Sequence, residues 1–261
     1  MNTQPKRLTW LWPLILIAVG AILLLHNFLL LDFDLARYWP LLIALMGLQL
    51  LLRGDIGFSW QAHTFGITRG SVESATLEVE SGEVDVQVRV LRKPGRLIAG
   101  QYTARSRPSL GVRNNHATLR LSRGQTWWLS LADWDVGLAH DLPWGLLISS
   151  YLGRLDVDLR GVIVERAYIS SGLGNVSVAC PEQSGPIVAR SVFGDVRVSI
   201  PETGRAIIRA NAGPFARVRV DQSRFERLEP GVYATRDEAD SDEIAGLDVA
   251  VSTVFGSIQI I

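Results

Sequence analysis

Few residues in this sequence have the types and spacing that reaction chemistry needs. The single cysteine, Cys180, fills the slot that Ile200 and Val220 take in two related phrases. It reads as a buried small hydrophobe and not as a nucleophile. The four histidines, His26, His63, His116 and His140, share no spacing that suits a metal ion. Gly172-Leu-Gly174 is a fragment of a glycine loop, but it precedes a strand pattern where phosphate cradling needs a helix. Asp156, Asp158 and Asp195 fall on outward faces of different coils and would have to align, as acidic residues do in solenoid polysaccharide lyases. No basic partner clusters with them, and a carbohydrate-active enzyme would need a groove lined by carboxylates. The run Asp237-Glu-Ala-Asp-Ser-Asp-Glu243 reads as a solvated loop. The chain is expected to lack catalytic, cofactor and metal sites, and to act by contact. Trp127, Trp128, Trp134 and Trp144 have two readings: a cap over the open end of a stack of coils, or an interaction patch for peptide or lipid.

The element that must position these residues is a phrase written three times between Ser171 and Val220. Ser171-Gly-Leu-Gly174-Asn-Val176-Ser-Val178-Ala-Cys180-Pro181 returns as Ser191-Val-Phe-Gly194-Asp-Val196-Arg-Val198-Ser-Ile200-Pro201, and more loosely as Asn211-Ala-Gly213-Pro214-Phe-Ala216-Arg-Val218-Arg-Val220. The offset is 194 − 174 = 20, and again 220 − 200 = 20. Apolar residues alternate with mostly polar ones at a period of two, which specifies strands. Gly174 and Gly194 suit a turn with positive φ, and Pro181 and Pro201 stop the strand behind it. A leucine-rich repeat would need spaced leucines and a fixed Asn, which are missing. The expected fold is therefore all-β, a parallel β-solenoid or β-roll.

Composition narrows the function. The 261 residues balance 26 basic against 26 acidic side chains, with 48% hydrophobic and 20% charged. That balance argues against a general nucleic-acid binder, and one cysteine excludes a disulfide scaffold.

The apolar residues concentrate at the N-terminus. Trp10 to Leu31 carries no charge and is long enough for a bilayer core of about 30 Å. Leu35 to Leu52 holds only Arg37 and Gln49 as polar interruptions. Trp12-Pro13-Leu14 and Trp39-Pro40-Leu41 echo one another. Pro is tolerated in a first helical turn, and Trp10, Trp12, Tyr38 and Trp39 suit the headgroup level as membrane anchors. No small-residue cleavage site follows the first run, so it reads as a span and not as a signal peptide. The expected organisation is a transmembrane helical hairpin over 1–53 (helices about 10–31 and 35–52), a juxtamembrane linker over 54–74 and the β-solenoid over 75–261. Lys6, Arg7 and Arg53 flank the outer ends of the hairpin, while Asp32 and Asp34 lie in its loop, which places the β-domain in the cytoplasm of a multi-pass inner-membrane protein.

Past the linker, Ala75 to Glu80 and Val84 to Val90 alternate about a Ser81-Gly82 turn, a weaker form of the repeat. Further strands are expected within Arg92 to Arg107 and over Ala117 to Ser122, then a coil at Leu155 to Leu159, a break over Arg224 to Glu243, and a last strand at Val254-Phe-Gly256-Ser-Ile258-Gln-Ile260.

The doubled Trp-Pro-Leu hairpin resembles the membrane region of LiaF-like bacterial cell-envelope stress proteins. The soluble part, through Leu142-Pro-Trp144-Gly-Leu-Leu-Ile148, Gly153-Arg-Leu155-Asp156-Val157-Asp158-Leu159 and Gly172-Leu-Gly174, resembles the toast-rack domain and adhesin-type β-solenoids. The resemblance implies a membrane regulator that restrains a sensor histidine kinase until the envelope is damaged. Some relatives have a four-helix membrane form, whereas two spans are read here. The expected partners are thus the lipid bilayer and a membrane sensor kinase or other envelope protein, without nucleic acid. A second hypothesis is a self-associating structural scaffold or adhesin-like protein, which an exposed final strand at Ile258 to Ile261 would favour.

Overall fold

The computed structural model describes residues 63–91, 95–102, 106–122, 133–236 and 246–261. All of them lie in the second of the chain's two compact units, Phe58–Ile261. The expected membrane helices with Trp10, Trp12, Tyr38 and Trp39, the acidic run 237–243, and Trp127 and Trp128 lie outside the described residues.

The described elements are seventeen β-strands arranged as stacked rungs. Each inner rung is a longer strand, a tight corner and a shorter strand. β8 (Pro143–Ser150) and β9 (Leu155–Asp158) form one, β10 (Ile163–Leu173) and β11 (Val176–Ala179) the next, and β12 (Ile187–Phe193) and β13 (Val196–Ser199) the third. They pair in parallel, with Leu146, Ala167 and Ile187 in one register and Val157, Val178 and Val198 in another. The repeat period is thus the rung spacing: Val176 pairs with Val196, and Ser171 with Ser191.

Both ends of the stack depart from chain order. β2 (Ser74–Glu80) and β3 (Val86–Val90) form a rung against β8 and β9, as the Ser-Gly turn predicts. On their other side lie β6 (His116–Ser122) and β7 (Trp134–Leu138), so the chain runs outward and then returns across its own first rung. At the far end, β14 (Ala206–Val220) contains the third copy, which sequence order places beside the second. Instead β17 (Leu247–Ile260) lies between them. It pairs with β12 and β13 on one side and with β14 on the other, so Val198 and Val220 both face Ile260 in register.

The corner explains the insertion. Gly194 and Gly256 have φ of 151° and 142°, and a Cβ at either would overlap the carbonyl oxygen of Gly174 or Gly194 in the adjacent rung. Ser150, Ser171, Ser191 and Thr253 are buried three residues before the corner glycines, and each hydroxyl donates to a carbonyl one rung back: to Gly82 (3.1 Å), Gly153 (3.3 Å), Gly174 (2.9 Å) and Gly194 (3.0 Å). β17 has both devices in Thr253 and Gly256. The third copy has Ala212, Ala216 and a register shift between Ala212 and Phe215, so it suits only the outermost rung. Gly194→Ala is accordingly expected to cost about 3 kcal/mol or more, read as a fall in thermal midpoint.

Antiparallel strands close the stack. β5 (Ser109–Arg113) pairs with β6, β4 (Arg96–Tyr102) with β7, and β1 (His63–Thr68) with β4. β1 falls inside the stretch 54–74 expected to be a linker. Its mixed polar sequence, HTFGIT, lacks the strong alternation of the inner strands because it lies at a sheet margin and is mostly exposed. At the other end, β15 (Phe225–Glu229) and β16 (Val232–Thr235) make a hairpin on the first half of β14, where the period breaks.

The core is the column of inward residues. Val176, Val178, Cys180, Val196, Val198, Ile200, Ile258 and Ile260 are all buried. The same parity buries Trp134 and Trp144, both fully inaccessible, and corrects their expected place in an interaction patch. Trp144 alternates inward with Leu146 and Ile148, lies in register with the small Ala75, and donates through Nε1 to the Ala139 carbonyl at 2.9 Å.

Candidate functional site

The side chains with reactive potential are occupied or apart. Cys180 is fully buried, and burial pushes its thiol up to about 12. Alkylation by iodoacetamide near neutral pH is expected to be negligible in the folded chain and complete after denaturation, read by intact mass. His116 places Nδ1 2.7 Å from Ser74 Oγ and Nε2 2.9 Å from Thr76 Oγ1, while His63 packs beside Tyr102 and His140 lies in an exposed turn. His26 lies outside the described residues. Among the described residues, no group of three His, Cys, Asp or Glu side chains is close enough to hold a metal.

The three candidate aspartates do not converge. Asp156 and Asp158 lie on β9, with Asp156 level with Ser177. Asp158 is bound by Arg160, whose Nε and Nη2 donate at 2.8 and 2.6 Å, and this hydrogen bonding holds the carboxyl below its ordinary range. Asp195 lies two rungs away at the corner, where its Oδ1 accepts from the Ser257 backbone N–H (2.7 Å) and hydroxyl (2.8 Å). Asn175 binds the Asp195 backbone in the same way at 2.9 Å, so this column is a structural ladder.

The feature that stands out is the corner itself. In a tight turn the residue before glycine is ordinarily polar. Here those positions carry Leu152, Leu173, Phe193 and Phe255, continued by Phe215 on the outermost rung. Leu173 pairs with Phe193, Phe193 with Phe255, and Phe255 with Phe215. The rings stack, with centroids 4.5 Å apart at 2° between Phe193 and Phe255, and 4.9 Å apart at 5° between Phe255 and Phe215. They are nonetheless open to solvent: Phe193 is 46% exposed, Phe255 37% and Phe215 68%. Tyr151, Val192 and Val254 add exposed apolar side chains beside them, in a row interrupted by Gly172. At about 4.8 Å per rung the ridge runs about 20 Å along the corner between the longer and the shorter strand of each rung. A contiguous apolar surface of this kind marks a contact site.

Arginines flank the ridge. Arg190 lies one position before Ser191 and donates to Ser252 Oγ at 3.1 Å, and Arg197 donates to Gln259 Oε1 at 3.1 and 2.9 Å from two nitrogens. Arg217 and Arg219 are exposed on the outermost rung. Sequence reasoning overlooked the ridge although its signal is present: large apolar residues recur at 173, 193, 215 and 255 where turn chemistry asks for small or polar ones.

Residues 10–51 match the LiaI-LiaF-like transmembrane region, which makes this a membrane protein. No curated protein matches the sequence. Among solved structures, a protein from Clostridium sporogenes ATCC 15579 whose name proposes cell adhesion aligns with a TM-score of 0.67 at 15% identity, over 77% of this chain and 98% of its own. A Bacteroides fragilis NCTC 9343 protein named in the same terms as an adhesin aligns over 78% of this chain and 98% of its own, with a TM-score of 0.34 at 10% identity. The chain thus carries a segment similar to a LiaI-LiaF-like transmembrane region, followed by an all-β domain of stacked rungs whose fold is shared with the Clostridium sporogenes protein.

Proposed function

We propose that this protein is a non-catalytic, membrane-anchored interaction module that regulates a bacterial cell-envelope stress response, with its β-domain on the cytoplasmic side. The observation that carries this reading is the exposed ridge of Leu173, Phe193, Phe255 and Phe215 on a chain with its own membrane region. Aromatic ladders held rigid by hydrogen-bonded rungs present apolar area at little entropic cost, which suits recognition by contact. A membrane sensor kinase or another envelope protein is the partner class implied.

The scaffold alternative loses its motivating feature. Ile258 to Ile260 lie inside the stack between β13 and β14, so the final strand is no free edge. The second half of β14 is the outermost strand there, and Pro214, Arg217 and Arg219 are the residues that discourage edge-to-edge pairing.

Photo-crosslinking from position 193 in native membranes tests the reading. A discrete hetero-adduct of kinase size, lost in Phe255→Ser, is expected. A ladder of self-adducts, or no protein adduct in stressed or unstressed cells, would overturn it.

A further inference from the structure

We infer that the corner ridge docks on the interface of an anionic lipid bilayer. This rests on the reading of the ridge as the contact surface of a membrane-anchored module, and names its occupant.

Three observations select lipid. First, the ridge lines up exposed phenyl rings and aliphatic side chains in register along a hydrogen-bonded corner, a continuous apolar strip that an interface can take up. Second, the charges beside it are mostly basic. In the last three rungs the neighbouring outward positions carry Arg190, Arg197, Arg217 and Arg219, against Asp195, whose Oδ1 is occupied by Ser257. Apolar insertion flanked by arginines is the pattern that anionic headgroups attract. Third, residues 10–51 of the same chain match a transmembrane region, so the β-domain is covalently tethered to a membrane segment. Such confinement lets a weak interfacial contact hold without a high intrinsic affinity. Docking covers the ridge, so lipid and a protein partner compete for it, and a change in leaflet charge becomes a change in availability.

The test uses the full chain reconstituted into vesicles of phosphatidylcholine, with or without phosphatidylglycerol. A nitroxide is attached at Val192→Cys beside the ridge, and a control label at Glu165→Cys. The buried Cys180 thiol does not compete for the label. Relative accessibility to oxygen and to a nickel chelate gives immersion depth.

The expected result is that the 192 label reads as lipid-immersed in phosphatidylglycerol vesicles and as aqueous in pure phosphatidylcholine, while the 165 label stays aqueous in both. Phe193→Ser/Phe215→Ser/Phe255→Ser should return the 192 label to water. If that variant melts differently from the parent, Arg190→Gln/Arg197→Gln/Arg219→Gln, with the ridge intact, should lower the docked-to-free ratio on the order of a hundredfold. A 192 label that stays aqueous on anionic vesicles overturns the inference. So does a label shielded from both reagents in a manner that depends on protein density, which would mean a second copy covers the ridge. A 192 label that stays aqueous leaves the hetero-adduct from position 193 untouched, so the inference can fail while the proposed function stands, whereas a ridge covered by a second copy counts against both.

Discussion

Deletion of residues 247–261 should abolish folding of the β-domain, although it removes only the end of the chain. β17 is an interior rung: Leu247, Val249, Val251, Ile258 and Ile260 are buried, and both edges of the strand are paired. Burying five such side chains at about 2 kcal/mol each amounts to about 10 kcal/mol, comparable to the whole stability of a domain. The deletion also leaves β13 paired only with β11 and strips β14 of its parallel neighbour. Circular dichroism of the purified full chain in detergent should show a cooperative melt that the truncated chain lacks. A solenoid stacked in chain order would lose only a terminal rung and retain most of its transition, because each rung there contacts only its neighbours.

Val198→Asp should lower stability by about 3–5 kcal/mol, whereas Arg197→Asp, one residue earlier on the outward face, should change it by about 0.5 kcal/mol or less. Val198 is fully buried with Val178 on one side and Ile260 on the other. A carboxylate there has no cation to pair with and favours its protonated form, so its folded pKa rises above the unfolded value. The loss is therefore smallest below the ordinary carboxylate range and grows as pH rises through it. Chemical denaturation at two pH values on either side of that range checks both the size and the sign. Equal effects at 197 and 198 would contradict the inward assignment.

The legible part of this fold was its local chemistry. A period of two, corner glycines and terminal prolines defined the strands over 171–200, and their 20-residue spacing defined parallel rungs. The order of the rungs was not legible, because every rung offers its neighbours the same apolar inner column and the same backbone ladder. Only the corner discriminates: Thr253 and Gly256 complete it, and Gly213-Pro214 does not, a difference that matters only once the adjacent carbonyl is seen. β1 escaped notice since a mostly exposed marginal strand needs little alternation. The tryptophans misled for a related reason. Trp134 and Trp144 suggest a patch when counted by proximity in sequence, yet strand parity turns both inward. The ridge is written at Leu173, Phe193 and Phe255, each just before a corner glycine, where neither the period of two nor the glycine pattern says that an apolar side chain reaches solvent.

Disulfide trapping of rung order tests the central claim most directly. Arg197, Gln259 and Arg219 are outward residues in one register, with Gln259 in the middle. In the full chain, Arg197→Cys/Gln259→Cys should oxidise readily, since parallel neighbours lie about 4.8 Å apart, within the range a disulfide spans. Arg197→Cys/Arg219→Cys, two rungs apart at about 9.6 Å, should remain reduced. Rapid oxidation of the 197/219 pair together with a reduced 197/259 pair would place the third copy beside the second, and would contradict the insertion of the last strand on which this account of the fold stands.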